Sequence, residues 1–356
     1  MRVRYQFVRP LSLLFGVVLV QFLFLPAQSF SQSPFYQGKT ITMIASTDAA
    51  GTGSMRTRAV VSFLQKHIPG NPTIVMEYMP GGGGRRAANH MFRVARPDGL
   101  TVGSLGSAIL ANAVLGEAGV QYGIDRFIYL GSTNSENHAI FITDQRAGLS
   151  SMEKLRAHTG LRIGAQSVGH TSYNNSRLFA WIIGLKETKF VTGYTGPEVD
   201  AALLQREIDA RAMAAASLLR RNPEWVEKRE VVHVQAIIDI PKGVKPPRLA
   251  YVPDLESFAK RDVERRVLAM QRSFQGAGSP YVVPPGTPGE QVKILQEAFR
   301  KTFMDPNFIR EYQKAVVEDP SPLMPEELEK VVRELARDPE IIGVFKSITG
   351  PGPLPR

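Results

Sequence analysis

The chain has 356 residues, is 43 % hydrophobic, carries a formal charge of +10 and contains no cysteine. That length accommodates two ordinary domains, each with a sizeable core. The missing cysteines exclude structural disulfides, thiol nucleophiles, thiolate zinc sites and a cysteine-anchored lipoprotein.

Residues 1–29 read as a secretory signal. Arg2, Arg4 and Arg9 form a positive leader, residues 11–25 an apolar run interrupted by Ser12 and Gln21, and Ala27-Gln28-Ser29 a small-residue cleavage site. Ser29-Phe30-Ser31 offers a second cleavage position. A membrane anchor needs about 20 apolar residues, more than this run supplies. Removing the leader leaves a charge of +7. The remaining basic residues are scattered over helical stretches rather than gathered into a stripe with aromatics. They read as solvated faces biased toward an anionic ligand, and nucleic acid is not an expected partner.

Beyond the leader, strands and helices alternate. TITMIAS (residues 40–46) predicts a strand and residues 55–68 a helix, ended by Pro69-Gly70-Asn71-Pro72. TIVMEYM (73–79) is the next strand. Pro80 and four glycines turn into a helix over 85–95, and Asp98-Gly99 leads into LTVGSLG (100–106). This order argues for a parallel sheet covered by helices. After RFIYLGS and HAIFITD the pattern resumes: a helix over 150–158, a strand over 161–167, a helix over 170–184, the strand and turn KFVTGYTG, a helix over 196–207 and the strand IDARAMA. A second α/β unit thus spans roughly 143–272. Helices are expected over 289–303, 307–317 and 325–336, and the GPGPLPR tail is expected to fray.

Three strand-to-helix turns share one composition: Thr52-Gly53-Ser54; Ser167, Gly169, His170, Thr171 and Ser172; and Tyr194-Thr195-Gly196. Each sets glycine and hydroxyls where a helix begins. A helix start leaves backbone N–H groups unpaired and carries positive partial charge, so such turns suit carboxylate or phosphate oxygens. Ser, Thr and Gly also cap helices and make turns with no ligand present. Three such turns at strand carboxyl ends, where open α/β sheets bind ligands, favour a site.

Other chemistry is sparse. PGGGGRR lacks the Lys-Ser/Thr of a P-loop, and no dinucleotide fingerprint follows the first strand. The histidines at 67, 90, 138, 158, 170 and 233 show no metal spacing, so neither metal nor cofactor is expected. No G-x-S-x-G occurs. His170, inside the second turn, reads either as a ligand donor or as a solvated N-terminal residue. Trp181 and Trp225 read as packing.

The ordered blocks YQGKTITMIAS, the first glycine turn, HIPGNPTIVMEYMPGGGGRRAANHMF, ARPDGLTVGSL, IGAQSVGHTS, GYTGPEVDAALLQREIDA, VVPPGTPGEQVKILQEAFRKTFMDPNF and DPEIIGVFKSI resemble the periplasmic solute-binding receptors of tripartite tricarboxylate transporters, the Bug receptors, over about residues 36–350. The resemblance implies an α/β fold: a two-domain periplasmic-binding-protein-like clamp, each domain a mostly parallel sheet flanked by helices. Domain 1 would hold 36–142 plus about 273–300 and domain 2 would hold 143–272, with helices of 301–356 packing across both.

It further implies an extracytoplasmic binding protein rather than an enzyme. Such a protein resides in the periplasm and delivers a small organic carboxylate to membrane permease subunits; a monomer is expected, though the sequence itself carries no signal for the oligomeric state. The acid would be held by Thr52, Gly53 and Ser54 from one domain and by Ser167, Gly169, His170, Thr171, Ser172, Tyr194, Thr195 and Gly196 from the other. A receptor feeding a signalling kinase, or an enzyme using His170, are the alternatives. The chain departs from the family where an Asp often follows the first turn: Met55 stands there, followed by Arg56 and Arg58. That lowers the expectation of an ammonium-bearing ligand.

Overall fold

The computed structural model describes residues 1–3 and 33–355, so the expected signal and its cleavage positions lie outside the described residues. The chain divides into two compact units, Met1–Phe35 and Tyr36–Arg356, and both sheets belong to the second.

Alternating β-branched and apolar residues give β1 (Thr40–Ala45), whose inward side chains Ile41 and Met43 are fully buried. Helix α1 (Thr52–His67) follows; Lys66 and His67 in its last turn suit the negative end of the helix dipole. It begins three residues earlier than the apolar spacing predicts, because Gly51 in extended conformation serves as its N-cap. Thr52, Gly53 and Ser54 are therefore helical. Next come β2 (Thr73–Tyr78), α2 (Arg85–Arg93), β3 (Thr101–Ser104), α3 (Ala108–Val114) and β4 (Ile128–Ser132).

The chain crosses through residues 133–138 into β5 (Ala139–Asp144), then α4 (Met152–Ala157), β6 (Arg162–Gly164), α5 (Thr171–Ile183), β7 (Lys189–Val191), α6 (Gly196–Leu204), β8 (Ala210–Ala214), α7 (Ala215–Arg221), α8 (Pro223–Glu227) and β9 (Val232–Ile238). It returns by α9 (Asp262–Gly276) into β10 (Pro280–Val283), followed by α10 (Gly289–Met304), α11 (Pro306–Val316), α12 (Pro325–Arg333) and α13 (Pro339–Thr349).

Two five-stranded sheets result, in the orders β2-β1-β3-β10-β4 and β7-β6-β8-β5-β9. In the first, β1 runs parallel to β2 and β3, while β10 is antiparallel to β3 and β4. In the second, β6 runs parallel to β7 and β8, while β5 is antiparallel to β8 and β9. Each sheet therefore has one reversed strand, and the mostly parallel expectation holds. The reversed strands β10 and β5 are the ones that arrive from the other lobe. They start at the cleft, whereas the other strands point their carboxyl ends toward it.

Apolar side chains fill both lobes; Phe141 of β5 stacks on Phe179 of α5 with ring centroids 5.4 Å apart. Helices α10 and α11 pack on α1, with Phe63 edge-on to Phe308. Helix α13 packs on α5 and α9. The tail is anchored rather than frayed: Tyr173 donates to Gly350 O at 3.3 Å, and Arg177, 2 % exposed, donates to Gly352 O at 2.7 Å and to Ile348 O. Trp181 and Trp225 are buried, in keeping with packing roles.

Candidate functional site

The carboxyl ends of β1, β3, β6 and β8 converge on a cavity of about 150 Å³ between the lobes. The first lobe contributes Thr47, Asp48, Thr52, Gly53 and Arg56, and the second contributes His170, Thr171, Ser172, Gly196, Arg211, Ser217 and Arg221. The crossing segments supply a floor that includes Asn137, His138, Gln275 and Ser279. A second cavity of about 300 Å³ shares Thr47, Asp48, Gln166 and His170 with the first and adds Ser167, Tyr194 and Thr195. The inner cavity is about the size that accepts a benzene-sized guest.

Nine of the eleven expected residues thus line one cavity or the other. Ser54 and Gly169 do not. Ser54 is fully buried and turns back to Thr47, its hydroxyl 2.8 Å from Thr47 Oγ1, because its place in the first turn of α1 points it into the lobe. Gly169 is buried against the neighbouring lobe. It has φ +79°, and a Cβ there would collide with Arg85; a Cβ on Gly83, φ +63°, would overlap the Gly169 carbonyl. The four-glycine turn therefore meets the other lobe closely, and neither Gly83 nor Gly169 has room for a Cβ.

The three helix starts differ in charge. Helix α1 has no side-chain cap and no acid in its first turn, so its positive end faces the cavity uncompensated. Helix α5 also lacks a first-turn acid; its N-cap is His170, whose Nδ1 accepts from Ser172 N at 3.1 Å. That bond leaves the ring proton on Nε2. Burial, helped by the Arg211 charge, pulls His170 down to about 4, so the ring is neutral at ordinary pH. Helix α6 carries its own anion: Glu198 Oε2 accepts from Thr195 N at 2.7 Å. The third turn is consequently the poorest anion site of the three.

The sequence reading missed most of the cationic wall. Arg211 of β8 is 2 % exposed and pairs with Asp200, which also accepts from Arg221 Nε at 2.7 Å. Two arginines share one carboxylate, and Arg211 Nε and Arg221 Nη2 are buried with no partner among the described residues. Burial pulls Arg211 down to about 10 despite the favourable pull of Asp200. Arg220 is also lowered, by burial and then by the neighbouring charges of Arg221 and Arg56. Arg56 forms a bidentate pair with Glu318, at 2.6 and 2.9 Å; burial opposes its charge, but Glu318 more than offsets this. Arg58 instead bonds Ala49 O and Tyr78 Oη and does not line the cavity. Among the lining residues Asp48 is the one acid beside Arg56, Arg211 and Arg221, while Glu318 and Asp200 pair those arginines from behind the lining.

No family model matches the chain. No curated protein matches it. Solved structures do. The periplasmic binding protein BugD superposes with a TM-score of 0.69 at 16 % identity, covering 88 % of this chain and 98 % of that one. MatC from Rhodopseudomonas palustris, solved with malate, gives 0.65 at 17 % identity over 87 % and 99 %. An R. palustris protein solved with adipate gives 0.66 at 15 % identity over 86 % and 97 %. The two lobes and the cleft between them are those of a periplasmic-binding-protein fold.

Proposed function

We propose that this protein is an extracytoplasmic receptor that captures a small organic carboxylate between its lobes and delivers it to the membrane permease of a tripartite tricarboxylate-type transporter. The supporting observation is the surplus of buried guanidinium donors. Arg211 and Arg221 have one carboxylate between them and keep N–H groups without partners, beside the uncompensated start of α1. A carboxylate satisfies both needs at once, since charge-assisted bonds to arginine are among the strongest available. The neighbours solved with malate and adipate have acids as guests on the same fold.

Capture rather than turnover fits the lining. His170 is the candidate base, and a ring held to about 4, with Nδ1 already accepting from Ser172 N, is a poor one. A guest touching both lobes stabilises the closed arrangement, which is how a hinge clamp couples binding to delivery. Periplasmic residence rests on the arginine leader and apolar run of residues 1–29.

Thermal denaturation of the purified protein with succinate, malate, adipate and benzoate, against glucose and choline, tests the reading. A ligand of the folded form at a hundredfold its Kd adds about 2.7 kcal/mol. At least one acid raises the melting temperature if the proposal holds; a response to glucose or choline with none to any acid overturns it.

A further inference from the structure

The floor of the inner cavity carries a group of buried amides beside the arginine wall. Asn175 of α5 and Gln275, in the last turn of α9, both line the cavity, and Gln271 stands one turn earlier on α9. They are 2 %, 1 % and 3 % exposed, respectively. Gln271 Nε2 donates to Asn175 Oδ1 at 2.6 Å, and Gln275 Nε2 donates to the same oxygen at 3.0 Å. Both lone pairs of that oxygen are then used. With that oxygen committed to two glutamines, the Asn175 NH2 is the group left for a guest. Gln271 and Gln275 each keep an Oε1 without a partner among the described residues. Native proteins meet nearly all such buried acceptors, and of the two only Gln275 lines the cavity.

Building on the carboxylate reading, we propose that Gln275 is a specificity-determining residue whose Oε1 accepts a hydrogen bond from a hydroxyl group of the guest, so that the ligand is a hydroxycarboxylate. The arginines and the Asn175 NH2 hold the acid, and Gln275 reads the hydroxyl. An ammonium could also donate to Gln275, but the lining sets against it Arg211 and Arg221, which keep buried N–H donors without partners among the described residues and call for an acceptor. A hydroxyl brings the donor without the charge. Gln275 also adjoins the crossing segment, where a Cβ on Gly278 would collide with Asn134 O. A guest bonded to Gln275 is thereby tied to the pivot of the two lobes. Gln271, which does not line the cavity, is a positioning residue that fixes Asn175.

The test is calorimetric titration of the purified protein with acids differing by one hydroxyl, malate against succinate and lactate against propionate, with aspartate as the ammonium-bearing counterpart of malate. A site built to bond a hydroxyl rejects the analogue that lacks it. The hydroxylated member of at least one pair binds about tenfold tighter or more, and aspartate binds more weakly than malate. In Gln275→Met, similar in length but without the acceptor, the ratio collapses to about one, and the plain acid weakens no more than it does in Gln271→Met, since each variant removes one bond to Asn175 Oδ1. In Gln271→Met both members weaken together and the ratio survives. Equal affinities in the wild type, or a ratio unchanged in Gln275→Met, overturn the assignment while leaving carboxylate capture standing. If no acid binds, capture itself falls and the hydroxyl assignment with it. The wild-type ratio remains decisive should either variant fail to fold.

Discussion

The hydroxyls of Thr52 and Ser217, 165 residues apart in the chain, lie 2.9 Å from each other across the cleft. Thr52 opens α1 of the first lobe, and Ser217 sits on α7 of the second. Arg220 adds a bond to the same Thr52 oxygen at 3.4 Å. The cavity wall is thus closed by contacts between lobes, and the residues that line it also hold the clamp shut.

Thr52→Ala and Ser217→Ala each remove one partner of that closing bond. Each weakens acid binding by about 0.5–1.5 kcal/mol, the net worth of one hydrogen bond. Because they share one bond, the double variant loses less than the sum of the two. Calorimetric titration of the four proteins checks this, and strictly additive losses would count against the shared contact.

Gly83→Ala places a methyl against the Gly169 backbone and wedges the lobes apart. Gly116 supplies the control: its φ is +62° and an added Cβ meets nothing within 4 Å, so Gly116→Ala carries the backbone strain of about 1–2 kcal/mol without the collision. Small-angle scattering should show the Gly83 variant more open than the wild type in the presence of the bound acid, and the Gly116 variant indistinguishable from it. Equal compaction in all three contradicts the jaw contact.

Asp200 holds two arginines, and its removal strands both. Asp200→Ala costs about 3–5 kcal/mol, the range for breaking a buried ion pair. A urea denaturation series measures it. A loss below about 1 kcal/mol would mean that the arginines reach water in the native state.

His170 sets a pH dependence. Its folded value is about 4 against an ordinary 6.5, held down by burial and then by Arg211. Between those values the unfolded chain binds a proton that the native protein refuses. Its contribution to stability is therefore complete above pH 6.5 and is lost as the pH falls toward 4. The melting temperature should drop on acidification from pH 7 to 4.5, and less steeply in His170→Gln. Identical slopes in the two proteins would show that His170 is not held neutral.

The fold was legible where side-chain periodicity is local. TITMIAS announces β1, and the glycine and hydroxyl turns mark the cavity mouth because strand carboxyl ends converge there in this topology. Arg211 and Arg221 were not legible. Arg211 interrupts an alanine-rich strand, and Arg221 ends a helix where a basic residue is unremarkable. What gives them a role is the shared Asp200, a relation that no local pattern carries. Asn175 and Gln275 escaped notice likewise, since α5 and α9 meet only in the folded chain. The anchored tail was missed because Arg177 reads as one more solvated helix charge until Ile348 and Gly352 are seen to accept from it.

On the function proposed above, the arginine-lined cavity between the lobes holds an organic acid. Its most direct test is calorimetric titration of wild-type protein and Arg221→Gln with whichever acid gives the largest thermal shift. Arg221 keeps a buried donor without a partner beside Asp200, so losing its charge should weaken binding by about tenfold or more. An affinity in Arg221→Gln equal to that of the wild type would place the acid elsewhere and contradict the claim.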